Sequence, residues 1–134
     1  MWTYRQATGE ILHDDTLVGI GYSGFGEGKN NPAMESVHNV GPIPQGWYTI
    51  GEPVDTKTHG PYVLRLTPAS ENQMYGRDGF LIHGDSLAHQ GAASQGCIVT
   101  IPAMRIQIWK SGDNQLTVVP GLPPVSPVET PLVT

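Results

Sequence analysis

Glycine and proline recur along the whole chain, and their frequency limits how it can fold more than any other feature. There are 17 glycines and 12 prolines among 134 residues, which is above the usual share. Proline breaks helix interiors and glycine weakens them, so long helices are disfavoured. Apolar residues are nevertheless spread along the chain, which is not typical of a disordered protein. The sequence therefore predicts a mainly β, loop-rich domain rather than a helical bundle.

Length and charge narrow the possible classes of protein. A chain of 134 residues suits one domain. Its net charge is −5 and it has only seven lysines and arginines, so it lacks the basic face of a typical nucleic-acid-binding protein. Because there is a single cysteine, no internal disulfide can form. We therefore expect a fold stabilised by packing alone and no nucleic-acid partner.

Short apolar runs bounded by turn residues predict the strands. The first 25 residues are interpreted as a β-meander. Further strands are predicted at residues 47–50, 62–66, 80–82 and 116–119. One short helix is expected to begin at Pro102, with Met104 and Ile108 on one face, and to end at Ser111 and Gly112.

The two ends of the chain give separate expectations. Residues 120–134 contain five prolines and one charged residue, which predicts an extended tail after a folded domain of residues 1–119. The first residues lack the apolar segment of an export signal. No run approaches the ~20 apolar residues of a membrane-spanning helix. We therefore expect no membrane span and no standard signal peptide.

A glycine-rich motif at residues 19–24 matches G-x-G-x-x-G, a pattern found in dinucleotide-binding sites. Such a site needs a helix to begin at the motif, because the helix N-terminus holds the pyrophosphate. Here Gly26, Gly28 and Pro32 follow, and no helix is predicted. The motif is interpreted as a bend between strands, and no cofactor is expected.

Residues 80–99 combine a histidine and the cysteine in a pattern suited to nucleophilic catalysis. An apolar strand ends at His83, a polar loop follows, and Cys97 comes directly after Gly96. A histidine can act as the base for a cysteine nucleophile. Gly96 permits a backbone geometry in which N–H groups point at a reacting oxygen. Both side chains are predicted to face one cleft, although a lone cysteine is often only a small buried hydrophobe.

Two blocks of sequence resemble the catalytic domain of bacterial L,D-transpeptidases. Ile-His-Gly at residues 82–84 and Ser-Gln-Gly-Cys-Ile at residues 94–98 match the signature of that family. Ile-Pro-Gln-Gly-Trp-Tyr-Thr-Ile at residues 43–50 is similar to its upstream block. The chain most closely resembles a compact branch among type VI secretion effectors, with His-Gly-Asp-Ser at residues 83–86 and Gly-Tyr-Ser-Gly at residues 21–24.

The resemblance implies a compact β-sandwich or barrel with one short helix after the cysteine, serving as a catalytic domain. It implies that Cys97 attacks the L,D bond before the terminal D-alanine of a stem tetrapeptide and forms a thioester. His83 is then the acid and base, oriented by the carbonyl of Gly84, and backbone N–H groups near Gln95 to Cys97, including that of Gly96, hold the oxyanion. Water as the acceptor gives L,D-carboxypeptidase activity, and an amine gives exchange or cross-linking.

Four further residues are predicted to line the substrate site: Tyr22, Asp85, Ser86 and Ser94. The partners that the resemblance implies are peptidoglycan stem peptides, a D-amino acid or second stem peptide as acceptor, and a cognate immunity protein. The expected place of action is the periplasm of a target cell, reached through a dedicated secretion system. A phage lysis route is the alternative.

The sequence departs from the family pattern at two positions. Gln95 stands where many members have histidine, and Val99 stands where many have an arginine that helps to hold substrate. Arg77 or Arg105 could replace that arginine, although a solvated surface position is the simpler expectation for each. The remaining histidines follow no pattern and are interpreted as surface or core residues: His13, His38, His59 and His89.

Two other classes of function fit parts of the same pattern. A zinc hydrolase could use His83, Asp85, His89 and Cys97, since zinc binds ligands of these types. No histidine pair has the i, i+4 spacing of a helical zinc motif, however. A non-catalytic wall-binding module would require only that Cys97 be buried. The transpeptidase-like interpretation needs no metal.

Overall fold

The computed structural model describes residues 1–121. Residues 122–134, which form most of the predicted proline-rich tail, lie outside this part. Nine β-strands and one α-helix are formed within residues 1–121, which confirms the prediction of a mainly β fold.

The elements follow one another closely along the chain. The strands are β1 (Trp2–Arg5), β2 (Glu10–His13), β3 (Thr16–Ile20), β4 (Tyr22–Ser23), β5 (Gly46–Thr56), β6 (Gly60–Pro68), β7 (Leu81–His83), β8 (Ile98–Val99) and β9 (Gln115–Val119). The helix α1 (Pro102–Lys110) lies between β8 and β9. Two 3₁₀ turns, Gly26–Gly28 and Pro32–Met34, lie between β4 and β5.

All nine strands belong to one rolled sheet, in the order β3-β2-β1-β9-β5-β6-β7-β8-β4. β3 and β4 are its two edges, yet only Gly21 separates them in sequence. The N–H of Gly21 donates to the carbonyl of Gly9, next to β2, at 2.7 Å. A Cβ at Gly21 would collide with the carbonyl oxygen of Val99 in β8. The two edges of the sheet therefore meet at Gly21, which gives the barrel-like form.

The inward faces of the rolled sheet form the hydrophobic core. Trp2, Ile50, Ile82 and Ile98, from four strands, are each between 1% and 2% exposed. Together with residues of β2, β9 and α1 they surround an internal gap of only about 10 Å³. This is near the smallest space that can hold a water molecule, so the interior is closely packed.

The helix α1 covers one side of this core. Pro102 is in its first turn, where a missing N–H is tolerated because first-turn N–H groups have no helical partner. Met104 and Ile108 are 4% and 3% exposed and pack into the core. Ser111 is the C-cap, and Gly112 follows with a φ of 76°. These bounds confirm the predicted helix. With nine residues α1 is too short to cross a bilayer, and residues 1–121 contain no longer helix.

The β5–β6 hairpin extends further than the sequence predicted. Its strands are eleven and nine residues long, whereas shorter runs were expected at residues 47–50 and 62–66. Register shifts before Pro53 and before Thr56 allow the ladder to continue past the proline. As a result, the tip of the hairpin carries His59 to the end of β7.

Candidate active site

Adjacent strands bring His83 and Cys97 to the same face of the sheet. β7 and β8 pair in parallel, with Ile82 opposite Ile98 and His83 opposite Val99. Because both isoleucines are buried in the core, the residues that flank them face the other side of the sheet. Cys97 directly precedes β8, so His83 and Cys97 are diagonal neighbours on this face.

The imidazole of His83 is oriented by its own chain. Its Nδ1 lies 2.7 Å from the carbonyl oxygen of Gly84. Since a carbonyl only accepts, Nδ1 carries the proton in this bond and Nε2 is the basic nitrogen. This is the contact that the resemblance implied for Gly84.

The surroundings of His83 disfavour its charged form. The side chain is 3% exposed, and the ring of His59 lies 4.7 Å from it, centroid to centroid. Burial lowers the pKa of His83, while the Gly84 carbonyl raises it. Positive charge on His59 and Arg105 lowers the pKa further. The histidine is therefore favoured in its neutral form, ready to accept a proton.

Cys97 is half-buried and faces a pocket of about 180 Å³. Its Sγ lies 3.9 Å from the carbonyl oxygen of Gly79. Burial raises the pKa of the thiol, while the N–H of Leu81 and the charge of Arg77 lower it. The thiol is thus accessible, in contrast to the fully buried cysteine that a purely structural role would need.

The turn before Cys97 exposes particular backbone donors. Gly96 has a φ of 137°, a conformation that favours glycine. Its N–H donates to Ser94 Oγ at 3.0 Å, and its carbonyl accepts from Ser23 Oγ at 2.8 Å. The N–H groups of Gln95 and Cys97 have no protein acceptor within residues 1–121. Of the N–H groups expected to hold an oxyanion, that of Gly96 is thus already engaged, while those of Gln95 and Cys97 remain, and the N–H of Cys97 belongs to the same residue as the sulfur.

Ser94 shapes this turn from inside. It is fully buried, and its hydroxyl donates to the carbonyl of Cys97 at 2.6 Å. The same oxygen accepts from the N–H groups of Gly24 and Gly96, at 2.9 and 3.0 Å. The sequence suggested that Ser94 contacts substrate, but here its hydrogen-bonding capacity is used within the protein.

The loop after His83 is organised around Asp85. Its carboxylate accepts from the hydroxyl of Tyr22 at 2.7 Å and from the N–H groups of Ser86 and Gly91 at 2.8 and 3.0 Å. Desolvation raises the pKa of Asp85, but these donors outweigh it and the pKa is lowered. The hydroxyl of Ser86 accepts from the N–H of His89 at 3.0 Å. Tyr22, Asp85 and Ser86, three of the residues predicted to line the substrate site, thus hold this loop in place through hydrogen bonds.

Two openings flank the histidine and cysteine. The pocket at Cys97 is also lined by His38, Arg77 and Gln95. A larger groove, of about 790 Å³, lies beyond Gly84 and is lined by Tyr22, Asp85, Lys29, His59 and Arg105 among others.

Both arginines that were expected on the surface are buried, so that expectation was wrong. Arg77 is 7% exposed and Arg105 is 2% exposed. Each donates to backbone carbonyls, and neither lies within ion-pair distance of a carboxylate in residues 1–121. Burial lowers the pKa of both guanidinium groups. They lie on opposite sides of the site, Arg77 beside Gly96 and Arg105 beside Gly84.

The geometry does not favour the zinc hydrolase alternative. Within residues 1–121, the ligand atoms that converge closely enough for a metal are those of His13, Asp14 and Asp113. This group is separate from Cys97 and already forms hydrogen bonds between His13 and Asp113. The carboxylate of Asp85 is directed into its own loop.

Comparison with protein families identifies the class to which this fold and site belong. Residues 19–121 match the Tlde1 domain, which covers more than three quarters of the chain. The chain therefore belongs to the Tlde1 family, a type VI secretion L,D-transpeptidase effector family. Comparison with curated proteins and with solved structures gave no match.

Sequence reasoning missed His59 as a neighbour of the reacting side chains, and it named Arg77 only as a possible replacement for the family's arginine, without its buried position beside Cys97. His59 is exposed, but its ring covers His83 because the β5–β6 hairpin is longer than predicted. Arg77 lies in a loop with no strand or helix pattern, and its role becomes visible only through contacts with distant carbonyls. The motif Gly-Arg-Asp-Gly at residues 76–79, shortly before the histidine strand, was the available signal.

Proposed function

We propose that this protein is a peptidoglycan-modifying cysteine enzyme that acts on stem tetrapeptides at the L,D bond before the terminal D-alanine. One observation is the main support: an accessible cysteine and a histidine oriented by the Gly84 carbonyl lie on one face of two adjacent strands. Membership of the Tlde1 family is consistent with this activity. The reaction uses Cys97 as nucleophile and His83 as acid and base, with no cofactor.

The acylation step can be written with its protons. Sγ of Cys97 attacks the carbonyl carbon, and the thiol proton passes to Nε2 of His83. The C–N bond then breaks, and His83 returns this proton to the nitrogen of the departing D-alanine. Protonation of a leaving group by a positioned acid contributes typically ~10²–10⁴-fold to the rate. The N–H of Cys97 is the donor best suited to hold the oxyanion.

The second step releases the acyl group from the thioester. An amine nitrogen of a D-amino acid or of another stem peptide attacks the thioester carbon, or water does so. The C–S bond breaks, and the proton lost by the nucleophile returns to sulfur through His83. An amine gives transpeptidation or D-amino acid exchange, and water gives L,D-carboxypeptidase activity.

Burial of the cysteine and the histidine favours a ground state in which both are neutral. The pKa of the Cys97 thiol is raised and that of His83 is lowered, each chiefly by burial. Both changes oppose a preformed thiolate–imidazolium pair at neutral pH. Proton transfer therefore accompanies attack, and the thiolate does not have to be abundant beforehand. The limited gain from a lower thiol pKa agrees with this, because nucleophilicity falls as the pKa falls.

Mass spectrometry of muropeptides tests the enzymatic proposal. Purified tetrapeptide muropeptides are incubated with the wild-type protein, with and without an added D-amino acid, beside a Cys97→Ala control. We expect loss or exchange of the terminal D-alanine with the wild type alone. No change with a folded wild-type protein would contradict the proposal and favour a wall-binding module.

We further propose that the protein is an antibacterial effector that acts in the periplasm of a target cell and is blocked by a cognate immunity protein. Family membership supports this assignment. Expression directed to the periplasm should arrest growth in cells that lack the immunity protein, whereas cytoplasmic expression should not. Harmless periplasmic expression of an active enzyme would contradict the effector proposal.

A further inference from the structure

Arg77 ties the turn before Cys97 to a distant part of the chain. Its Nη1 donates to the carbonyls of Glu35 and Pro42, at 2.5 and 2.8 Å. Its Nη2 donates to the carbonyls of Gly41 and Gln95, at 2.9 and 3.2 Å. The planar guanidinium thus clamps residues 35–42 against the turn.

The turn is packed directly on this guanidinium. A Cβ added at Gly96 would lie 2.5 Å from Nη2 of Arg77 and 2.8 Å from the ring of Phe80. The guanidinium carbon in turn lies 5.2 Å from the centroid of the Phe80 ring. Any movement of Arg77 would therefore change the position of Gly96 and of the residue after it.

The charge of Arg77 is balanced only in part. The carboxylate of Glu35 acts on it from beyond ion-pair distance, and that carboxylate accepts its own hydrogen bonds from Gln6, Gln45 and Tyr75. In the part of the chain that the structure describes, Arg5 pairs with Glu10 at 2.9 Å, but Arg77 forms no ion pair. Burying such a charge is costly unless hydrogen bonds and a nearby negative charge offset the cost. The carbonyls supply the hydrogen bonds and Glu35 supplies part of the opposing charge. Further negative charge would develop at Cys97, which lines the same pocket as Arg77.

We infer that Arg77 is a positioning residue for the reaction at Cys97: it holds residues 95–97 in their reactive geometry and places a positive charge beside the developing negative charge. This inference rests on the proposed cysteine chemistry. Arg77 does not itself contact the reacting atoms. It acts through the carbonyl of Gln95 and through its field at the thiolate and the oxyanion.

Arg105 provides a matched control on the opposite side of the site. It is equally buried and donates to the carbonyls of Tyr62, Thr100 and Pro61, at 2.9, 2.5 and 3.3 Å. It lies next to Gly84 rather than Gly96. Removing its charge should therefore affect His83 and leave the titration of the thiol unchanged.

The test is the pH dependence of Cys97 alkylation by iodoacetamide, together with muropeptide kinetics. Arg77→Met should raise the apparent pKa of the thiol by about one unit, which lowers the thiolate fraction at pH 7 about tenfold. Because a thiolate of higher pKa is about threefold more nucleophilic, alkylation at pH 7 should slow about threefold. Arg77→Lys keeps the charge, so the thiol pKa should stay near that of the wild type. The lysine loses the four-carbonyl clamp, so kcat should fall about 10–100-fold while KM changes less than about threefold.

The effects of other titratable groups on the thiol must be distinguished from the effect of Arg77. His38 and Asp78 line the same pocket, and His83 lies on the neighbouring strand. Arg105→Met is the control, and its thiol profile should match the wild type. A thiol profile unchanged in Arg77→Met would overturn the inference, as would an equal change in Arg105→Met.

An NMR measurement on the wild-type protein tests the inference even if the Arg77 variants do not fold. The side-chain ¹⁵N–H signals of Arg77 should titrate together with the Cys97 thiol, and this titration should vanish in Cys97→Ala. Arg77 signals that do not respond to the thiol would overturn the inference. Neither alkylation nor NMR needs substrate, so an enzyme inactive on muropeptides would contradict only the proposed function.

Discussion

At the scale of single residues, burial controls the chemistry of the site more than any pairing of charges does. His83 has its pKa lowered chiefly by desolvation, and the ring of His59 contributes to that burial. His59 itself is exposed at the tip of a hairpin, so it can be replaced with little disturbance of the core. This makes His59 a direct means of changing the basicity of His83.

His59→Ala should raise the pKa of His83 towards its ordinary value. The substitution admits water to the imidazole and removes a nearby positive charge, and both changes favour the protonated form. Because the reaction begins with neutral His83, the acid limb of the pH–activity profile should move to higher pH. NMR titration of the His83 ring signals measures the change directly.

The matched control for His59 is His89→Ala, an exposed histidine in the loop before Cys97. It should leave the pKa of His83 unchanged.

The lowered pKa of His83 also affects stability. In the folded protein His83 binds fewer protons than it does in the unfolded chain, so stability falls as pH drops from about 6.5 through the folded-state pKa. His59→Ala should reduce this loss. Identical His83 titrations in the wild type and His59→Ala would contradict the argument.

At the scale of elements, the site depends on a parallel strand pair joined by a long crossover. β7 and β8 are neighbours in the sheet, and parallel neighbours need a long connection. That connection, residues 84–97, is ordered by polar groups rather than by helix or strand. Asp85 accepts hydrogen bonds from the first half of this connection, and Ser94 forms hydrogen bonds with the second half. The pairing of β7 with β8 places the histidine beside the cysteine, and these two side chains hold the connection between them in one conformation.

At the scale of the whole molecule, the sheet is rolled until its edges meet. Gly21 joins the edge strands β3 and β4, and its backbone lies between Gly9 and Val99. The adjoining β4 then pairs with β8, which follows Cys97. Closure of the sheet and placement of the nucleophile are therefore parts of one arrangement.

Gly21→Ala should destabilise the fold, since the new methyl group collides with the carbonyl oxygen of Val99. Overpacking of this kind costs about 1–3 kcal/mol in the free energy of unfolding. Urea denaturation measures the loss, and Cys97 alkylation reports whether β8 has moved.

Gly51→Ala is the control for this prediction. A Cβ at Gly51 would lie 3.4 Å from the carbonyl oxygen of Arg65, an ordinary contact distance. The variant should lose much less stability than Gly21→Ala. Equal midpoints for the two variants would show that the sheet does not depend on close approach at Gly21.

Much of the fold followed from local patterns in the sequence. The meander of β1–β3, the position of β9 and the bounds of α1 at Pro102 and Ser111 were predicted, because alternation, helix periodicity and caps act between near neighbours. The expected meander over the first 25 residues was wrong for β4, which pairs with β8 at the other edge of the sheet. The two reacting residues were also predicted, since each belongs to a short local motif: His83 at the end of an apolar strand, and Cys97 directly after a glycine. The bounds of β5 and β6 were less accurate, because pairing and bulges extended these strands beyond their apolar runs.

The tertiary structure decided what surrounds the two reacting side chains. Arg77 and Arg105 are buried because carbonyls far away in sequence accept their N–H groups, and no local pattern records those acceptors. His59 reaches His83 only through the length of a hairpin. Ser94 is turned inward because three backbone groups converge on its hydroxyl. The sequence thus determined which residues can react, and long-range packing determined their charge state and orientation, since both depend on burial and on partners brought together only by the folded chain.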